Sequence, residues 1–233
     1  MTRADALLIL AGPFDAEAHA FAAVHAAAGV LLVTPRDLSR EGWRLHLGDP
    51  SSLVAVCGTR RLGAHEIGGV ITRLPNVEEA DIPHIGAEDR AYVAGEMTAF
   101  LLAFLGELRC RVSNRPTPQC VCGQVCSPER WCRLGRELGL AVRQEPRLAA
   151  MDTEPPPPIL PDAVATIVGD AVFGEARLGA AALALARAVG ADMLRAEFEG
   201  AALLRASPLV NLAAADIAAA ALALFETPAG LSA

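Results

Sequence analysis

Hydrophobic runs and helical patterns alternate along the first part of the chain. An apolar run at residues 6–11 precedes an alanine-rich segment at 15–28, and a second apolar run follows at 30–33. Short apolar runs predict buried strands, whereas apolar residues three and four positions apart predict a helix, which Gly29 would end. The chain therefore opens with a β-α-β unit of a parallel sheet with a right-handed crossover.

The rest of the chain extends this α/β pattern. A long helix is predicted over 87–108, and another begins after Ser127, which would cap the exposed amides while Pro128 suits the first turn. The remaining predicted elements are strands at 43–47, 53–57, 70–71, 110–112, 163–169 and 171–174, a strand pair across Gly200, and helices at 179–189 and 213–225.

Composition and charge exclude several classes of protein. Of the 233 residues, 53% are hydrophobic and 20% are charged, which is typical of a globular protein. A net charge of −7 without a basic run predicts no nucleic-acid partner. The N-terminal apolar run is too short for a secretory signal, and the apolar stretch at 209–225 is interrupted by Asn211 and Asp216. We therefore predict a cytoplasmic protein without a membrane segment, whose six cysteines are reduced thiols or metal ligands.

All 20 basic residues are arginines, and the chain contains no lysine. Codon usage in a GC-rich genome explains such a composition. The chemical consequence holds whatever the cause, because the chain has no amine for a Schiff base and no lysine to clamp a phosphate. The sequence also has no P-loop and no Ser-His-Asp order with a G-x-S-x-G turn. We therefore assign no catalytic residue from the sequence.

Several short motifs follow one another in the order seen in a known ligase family. GVITRLP at 69–75, Gly95-Glu96 on the long helix and VSNRP at 112–116 come first, and the hairpin ATIVGDAVF at 165–173 comes later. In this order the chain resembles the ATP-grasp superfamily, in particular the ligases that modify ribosomally made peptides. The resemblance implies an α/β fold: an N-terminal pre-ATP-grasp, Rossmann-like parallel sheet domain, with a smaller α+β remnant of the ATP-grasp core.

The resemblance also implies domain boundaries. We expect a pre-ATP-grasp-like domain at 1–118, a connecting cysteine-rich loop and helix at 119–143, a proline-rich linker at 144–162, and a truncated ATP-grasp-like subdomain at 163–233. In the family, a lobe that carries lysines for the ATP phosphates and a linker for adenine lies where this chain has only its proline-rich stretch.

The family usually holds magnesium with a Glu-x-Asn motif near its C-terminus. This chain has Leu209-Val210-Asn211 there, which leaves Asn211 as the remnant of the metal site. Phosphoryl transfer depends on positioning and on neutralising charge, and Mg²⁺ prefers carboxylates, so one Asn does not suffice. We therefore expect no ATP or magnesium binding by this chain alone.

Four polar residues are candidates for binding a substrate or partner: Arg73, Glu96, Asn114 and Arg115. The resemblance implies that they border the cleft between the first domain and the ligase core, which faces substrate in the family. Polar residues on loops at sheet ends often bind ligands. A structural role is equally open, because Asn114 can fix the loop before Pro116 and Glu96 can pair with an arginine.

Four cysteines lie within a short segment, at Cys120, Cys122, Cys126 and Cys132. Their C-x-C-x3-C-x5-C spacing departs from the usual C-x2-C pairs of zinc sites. Cys126 precedes a predicted helix, a position that lowers a thiol pKa. We weigh a zinc or other metal site, or a thiol-redox role, against the packing of small buried side chains.

These observations leave two hypotheses of different classes and a third, weaker one. In the first, the protein is a non-catalytic ATP-grasp-like accessory or substrate-recognition protein, whose partner is a full ligase, a peptide substrate or a second copy of the chain. In the second, it is a metal-binding or thiol-redox protein that uses the cysteine cluster. In the third, it is a degenerate ligase completed in trans by another chain.

Overall fold

The apolar run that opens the chain forms a buried parallel strand, as its pattern predicts. In the computed structural model, which describes residues 5–144, 157 and 159–226, β1 (Ala6–Leu10) leads to helix α1 (Ala16–Val24) and then to β2 (Val30–Val33). The Asp15 carboxylate accepts the Ala18 N–H at 3.0 Å and so caps α1. A short 3₁₀ turn follows α1 and ends at Gly29, whose φ of 88° suits glycine.

A parallel sheet organises the first part of the chain. After β2 come α2 (Pro35–Leu38), β3 (Val54–Cys57), β4 (Arg60–Gly63), β5 (Ile67–Thr72), α3 (Arg90–Glu107) and β6 (Arg111–Val112). The parallel sheet has the order β2-β1-β5-β6, whereas β3 and β4 form a separate antiparallel hairpin. The buried side chains of β1 and β5 share one core with Leu101 and Phe104 of α3.

The strand predicted at 43–47 is reduced to one bridge, between Arg44 and Val54. The adjacent strand β3 instead pairs with β4, which follows it after a two-residue turn that contains Gly58 with φ 59°. A local hairpin loses less loop-closure entropy than a distant pairing does. The apolar signal at 43–47 has another cause, because the Trp43 ring packs edge-on against two phenylalanines of α3.

The second part of the described chain contains an antiparallel sheet. Its elements are α4 (Pro128–Glu137), β7 (Ala163–Val168), β8 (Ala171–Gly174), α5 (Gly179–Ala188), β9 (Met193–Glu199) and β10 (Ala202–Ser207). The strand order is β10-β9-β7-β8, with α5 against β7 and β9, and α4 against β10. Trp131 of α4 and Phe198 of β9 belong to its core. The helix start predicted after Ser127 is present, since Ser127 Oγ accepts the Arg130 N–H at 3.4 Å.

The final helix, α6 (Ala215–Glu226), belongs with the first sheet. One compact unit comprises the chain up to Gln124 together with the chain from Asn211 onward, and the other comprises Val125–Val210. These units differ from the boundaries expected at 118 and 163, because α4 packs on the second sheet while Arg111 of β6 donates to the Leu224 carbonyl oxygen of α6 at 3.1 Å. The predicted proline-rich linker lies largely outside the described residues. Within the described part of the chain, no helix is long and apolar enough to cross a bilayer.

Replacing Gly69 with alanine tests the packing of α6 against the first sheet. A Cβ at this position would overlap the Phe225 ring, so we expect the free energy of unfolding to fall by about 1–3 kcal/mol. Gly95→Ala on α3 is the matched control, because a Cβ there meets nothing within 4 Å and should leave stability unchanged or raised by roughly 0.5–1 kcal/mol. Urea unfolding measures both, and equal stability of the two variants would contradict the α6 contact.

Candidate functional site

The carboxyl ends of β1 and β5 mark the position where open parallel sheets usually bind ligands. The chain leaves β1 toward β2 on one side, and β5 continues the sheet toward β6 on the other, so the strand order reverses between β1 and β5. Ligands of such folds bind in the crevice outside this reversal. Asp15 lies in the turn after β1, and Arg73 follows β5 directly.

Arg73 is buried at this crevice by an ion-pair network, with its side chain only 7% exposed. Its Nε lies 2.7 Å from Asp15 Oδ2, and its Nη2 lies 3.2 Å from Asp15 Oδ1 and 3.3 Å from Glu17 Oε2. Glu17 Oε2 also accepts the backbone N–H of Leu212 at 3.2 Å. The guanidinium that the sequence suggests for substrate is therefore engaged by two carboxylates of the same unit. This arrangement favours the structural alternative for Arg73.

The network changes the acidity of Asp15. Burial by itself would raise the pKa of this carboxyl group, but the hydrogen bond from Arg73, the Ala18 N–H and the charge of Arg73 outweigh it. The pKa of Asp15 therefore lies below its ordinary value of 3.8. The carboxylate stays ionised and holds both the α1 cap and the arginine.

Asn114 is likewise inside the protein, immediately after β6. It is 2% exposed and has φ 50°, a left-handed conformation that asparagine tolerates better than most residues. The Thr72 hydroxyl donates to the carbonyl oxygen of Ser113 at 2.6 Å, which ties this loop to the end of β5. Gly123 approaches so closely that a Cβ there would lie 3.0 Å from the Asn114 carbonyl oxygen. These contacts favour the loop-fixing alternative for Asn114.

Glu96 and Arg115 lie on the surface of the first unit. Glu96 is exposed on α3, and Arg115 is exposed after the buried Asn114. The Arg115 guanidinium donates to the Cys110 carbonyl oxygen at 3.3 Å and lines a groove of about 380 Å³. The groove is lined by Leu102, Gly106, Arg115, Pro116, Thr117 and Pro118. The four predicted candidates thus separate into two internal residues and two surface residues.

The four clustered cysteines separate in a similar way. Cys120 and Cys122 belong to the first unit, where their Sγ atoms are 3.5 Å apart. Cys132 lies in α4 of the second unit, where its thiol contacts the carbonyl oxygens of Arg143 and Leu204 at 3.5 and 3.6 Å. Cys126 is half-buried in the same unit. Among the described residues, no three His, Cys, Asp or Glu side chains are grouped closely enough to hold a metal ion.

A carboxylate missed by the sequence analysis lies on β9 of the second unit. The Glu197 side chain is 13% exposed, and its Oε1 lies 2.9 Å from Arg195 Nη2. Arg205, its register partner on β10, brings Nε to 2.6 Å from Oε2 in an ionic contact that lacks hydrogen-bond alignment. Both oxygens are thus neutralised by arginine. The alternation Arg195-x-Glu197 predicts one exposed strand face, but not the pairing across strands.

Neither Glu197 nor Asn211 offers a free carboxylate to a magnesium ion. Mg²⁺ takes free carboxylates and substrate phosphates, but Glu197 is held between two arginines. Asn211, the expected metal remnant, is exposed, and its Oδ1 accepts the Ala213 N–H at 3.0 Å before α6. No lysine is available anywhere in the sequence to bind a phosphate.

Structures of peptide-modifying ligases resemble this chain over nearly its whole length. The macrocyclase MdnC from Microcystis aeruginosa MRC, bound with precursor peptide MdnA, has TM-score 0.60 and 12% identity, covering 97% of this chain and 99% of that one. The ATP-grasp ligase PsnB, complexed with minimal precursor, has TM-score 0.65 and 11% identity, with coverages of 95% and 99%. No protein-family model and no curated protein matches the sequence.

A third structure has the same fold with a nucleotide and a peptide. The RiPP-associated ATP-grasp ligase of Chryseobacterium gregarium, in complex with ADP and a leader and core peptide, has TM-score 0.57 and 9% identity. The aligned region covers 89% of this chain and 90% of the ligase chain. At such identities the likeness establishes a shared fold.

Replacing Asp15 with asparagine separates the charge of this residue from its capping role. The folded-state pKa lies below 3.8, so the Asp15 charge stabilises the protein fully above that pH and loses its effect as pH falls through the lower folded-state pKa. Asparagine keeps a capping oxygen but loses the charge, so we expect unfolding free energy at pH 7 to fall by about 2 kcal/mol. The loss should shrink on acidification below 3.8.

Asp170→Asn provides the control for this comparison, because its carboxylate pairs with Arg187 while 88% exposed. Exposed pairs contribute about 0–1 kcal/mol, so this variant should resemble the parent protein at every pH. Urea titrations between pH 2.5 and 7 measure both proteins. A constant deficit in Asp15→Asn across that range would argue against the ionised network.

Proposed function

Because the chain has the fold of the ATP-grasp ligases, we propose that it is a non-catalytic binding protein that acts beside a full ligase in a biosynthetic pathway. The fold agrees with the resemblance carried by the sequence motifs. What the protein retains in this proposal is recognition of a peptide or of the ligase itself. In the same proposal, the protein does not bind ATP and does not catalyse phosphoryl transfer.

The observation that carries the proposal is the pairing of the Glu197 carboxylate with two arginines. Phosphoryl transfer requires cations on the phosphates and a metal held by free carboxylates. Here the carboxylate on the second sheet lies between Arg195 and Arg205, with contacts of 2.9 and 2.6 Å. Two arginines already compensate this largely buried carboxylate, so the three side chains are suited to a structural ion-pair network and not to metal binding. The absence of lysine supports the same conclusion.

The groove beside Arg115 supports a peptide ligand. It combines the apolar surfaces of Leu102, Pro116 and Pro118 with one exposed guanidinium. Apolar walls with a few placed polar groups are typical of ligand-binding clefts. An arginine fork recognises a carboxylate in bidentate fashion, so the groove suits a peptide segment with an acidic residue next to an apolar one. MdnC and PsnB are described in complex with precursor peptides, which agrees with this class of ligand.

A nucleotide-binding measurement tests the non-catalytic part of the proposal. We expect no shift of the thermal unfolding midpoint when MgATP is added at millimolar concentration, because the sequence has no lysine and the Glu197 carboxylate is already paired with two arginines. Differential scanning fluorimetry with and without MgATP gives the result, with a full ATP-grasp ligase as the positive control. A stabilisation that depends on both ATP and magnesium would refute the proposal and would favour an active or trans-completed enzyme.

Charge reversal at Arg115 tests the peptide groove. The probe is a synthetic peptide that carries an acidic residue next to an apolar one, and its affinity for the protein is measured by calorimetry. Arg115→Glu should weaken binding by about tenfold or more, because it replaces the attraction of a carboxylate with repulsion. Arg187→Glu makes the same charge change at an exposed site of the second unit and should bind like the parent protein. Equal weakening by both variants would mean that net charge, and not the groove, governs binding.

A further inference from the structure

Two thiols of the first unit are in contact within a short, well-anchored loop. Cys120 and Cys122 are separated by one residue, and their Sγ atoms are 3.5 Å apart. Thr117 and Cys120 exchange two backbone hydrogen bonds of 2.9 and 3.1 Å, which close the turn before the pair. The intervening Val121 is fully buried, and its N–H donates to the Pro75 carbonyl oxygen at 2.7 Å. The loop backbone therefore holds both sulfur atoms on the same side.

The two thiols have opposite acidities. The hydrogen bond between the two sulfur atoms, in which either thiol can be the donor, lowers the pKa of Cys120 from 9.0 to about 7. The same hydrogen bond, together with burial, raises the pKa of Cys122. A thiolate beside a protonated thiol is the arrangement of reactive dithiols, in which one sulfur attacks and the other resolves. Cys57 and Cys110 contrast with this pair, because burial raises the pKa of each to about 11.

The distance between the two sulfur atoms suits a covalent bond. A disulfide needs a sulfur–sulfur distance of about 2.05 Å, so the present contact requires an approach of roughly 1.5 Å. The closing loop is a C-x-C segment, which is short and makes the bond strained and readily reduced. Cys120 is 4% exposed and Cys122 is fully buried, so only a small oxidant reaches them.

We propose that Cys120 and Cys122 form a reversible dithiol–disulfide pair that is oxidised by hydrogen peroxide and reduced by a small thiol. The Cys120 thiolate attacks one peroxide oxygen, the O–O bond breaks, and the departing hydroxide takes up a proton to become water. Cys122 then loses its proton and attacks the Cys120 sulfur, so that the S–S bond forms, the S–O bond breaks and a second water leaves. Overall, two thiols are oxidised to one disulfide and one peroxide is reduced to two waters.

The position of the pair suggests what the bond would affect. Gly123 follows it with φ 89°, and the Thr117 hydroxyl donates to the Gly123 carbonyl oxygen at 3.4 Å. Gln124 is the last residue of the first unit before the chain enters the second unit at Val125. Drawing the two sulfurs together acts directly on this connecting segment. The inference does not rest on the proposed peptide-binding role, although Thr117 of this loop also lines the groove beside Arg115.

Peptide mass spectrometry tests the bond in a Cys126→Ser background. Trypsin then releases residues 112–130 as one peptide, because Arg115 precedes proline, and Cys120 and Cys122 are its only cysteines. After peroxide treatment, we expect this peptide to be lighter by two hydrogens and resistant to alkylation, while Cys57 and Cys110 remain alkylatable. Dithiothreitol should restore both thiols. Peptides in which both cysteines still react with iodoacetamide after peroxide would overturn the proposal.

Two further variants test which cysteine attacks the peroxide and which one then forms the disulfide. The melting curve of each variant checks that it is folded. Cys122→Ser keeps a hydrogen-bond donor for Cys120 but no second sulfur, so oxidation should stop at a sulfenic acid that dimedone traps. Cys120→Ser leaves only the Cys122 thiol, whose burial still raises its pKa, so oxidation should slow by about tenfold or more. A folded Cys122→Ser protein without a dimedone adduct, or equal oxidation rates in the two variants, would contradict the assigned roles.

Discussion

The ion pair between Arg73 and Asp15 joins the carboxyl end of the central strand β5 to the start of α1 in the first unit. Arg73 follows β5, Asp15 caps α1, and Glu17 links both to the backbone of Leu212. A buried guanidinium is costly to desolvate unless its hydrogen bonds are well formed, and here two carboxylates meet it in close geometry. The crevice where such sheets commonly bind ligands is therefore occupied by the protein's own charges.

The second unit repeats this use of arginine on a different sheet. Glu197 lies between Arg195 and Arg205, so its carboxylate is paired with cations of the protein itself. Arginine suits this role because its planar fork remains charged when buried. In both units, charge is thus used to join strands and helices. This use of charge agrees with the proposed binding role, for which the groove beside Arg115 is the proposed contact surface.

The periodic elements were predicted well because their signals are local. The opening β-α-β unit, the long helix α3, the capped helix α4 and the hairpin of β7 and β8 all follow from spacing, capping and turn residues. The failures concern partners. The alternation at 43–47 predicts a strand, although Trp43 packs on α3 and β3 pairs with the hairpin strand β4. Chain order places the last helix in the second domain, although it belongs to the unit of the first sheet.

The residue pattern was sufficient for the α/β class and for the resemblance to ATP-grasp ligases, because each depends on neighbouring positions or on motif order. The residue pattern was not sufficient to predict which charged side chains are buried in ion pairs and which face solvent. Arg73 finds its carboxylate 58 residues away, and Glu197 is neutralised partly from another strand. Whether a charged side chain faces solvent or an opposite charge depends on chain segments brought together by folding, and strand alternation carries no information about the charge on the facing strand.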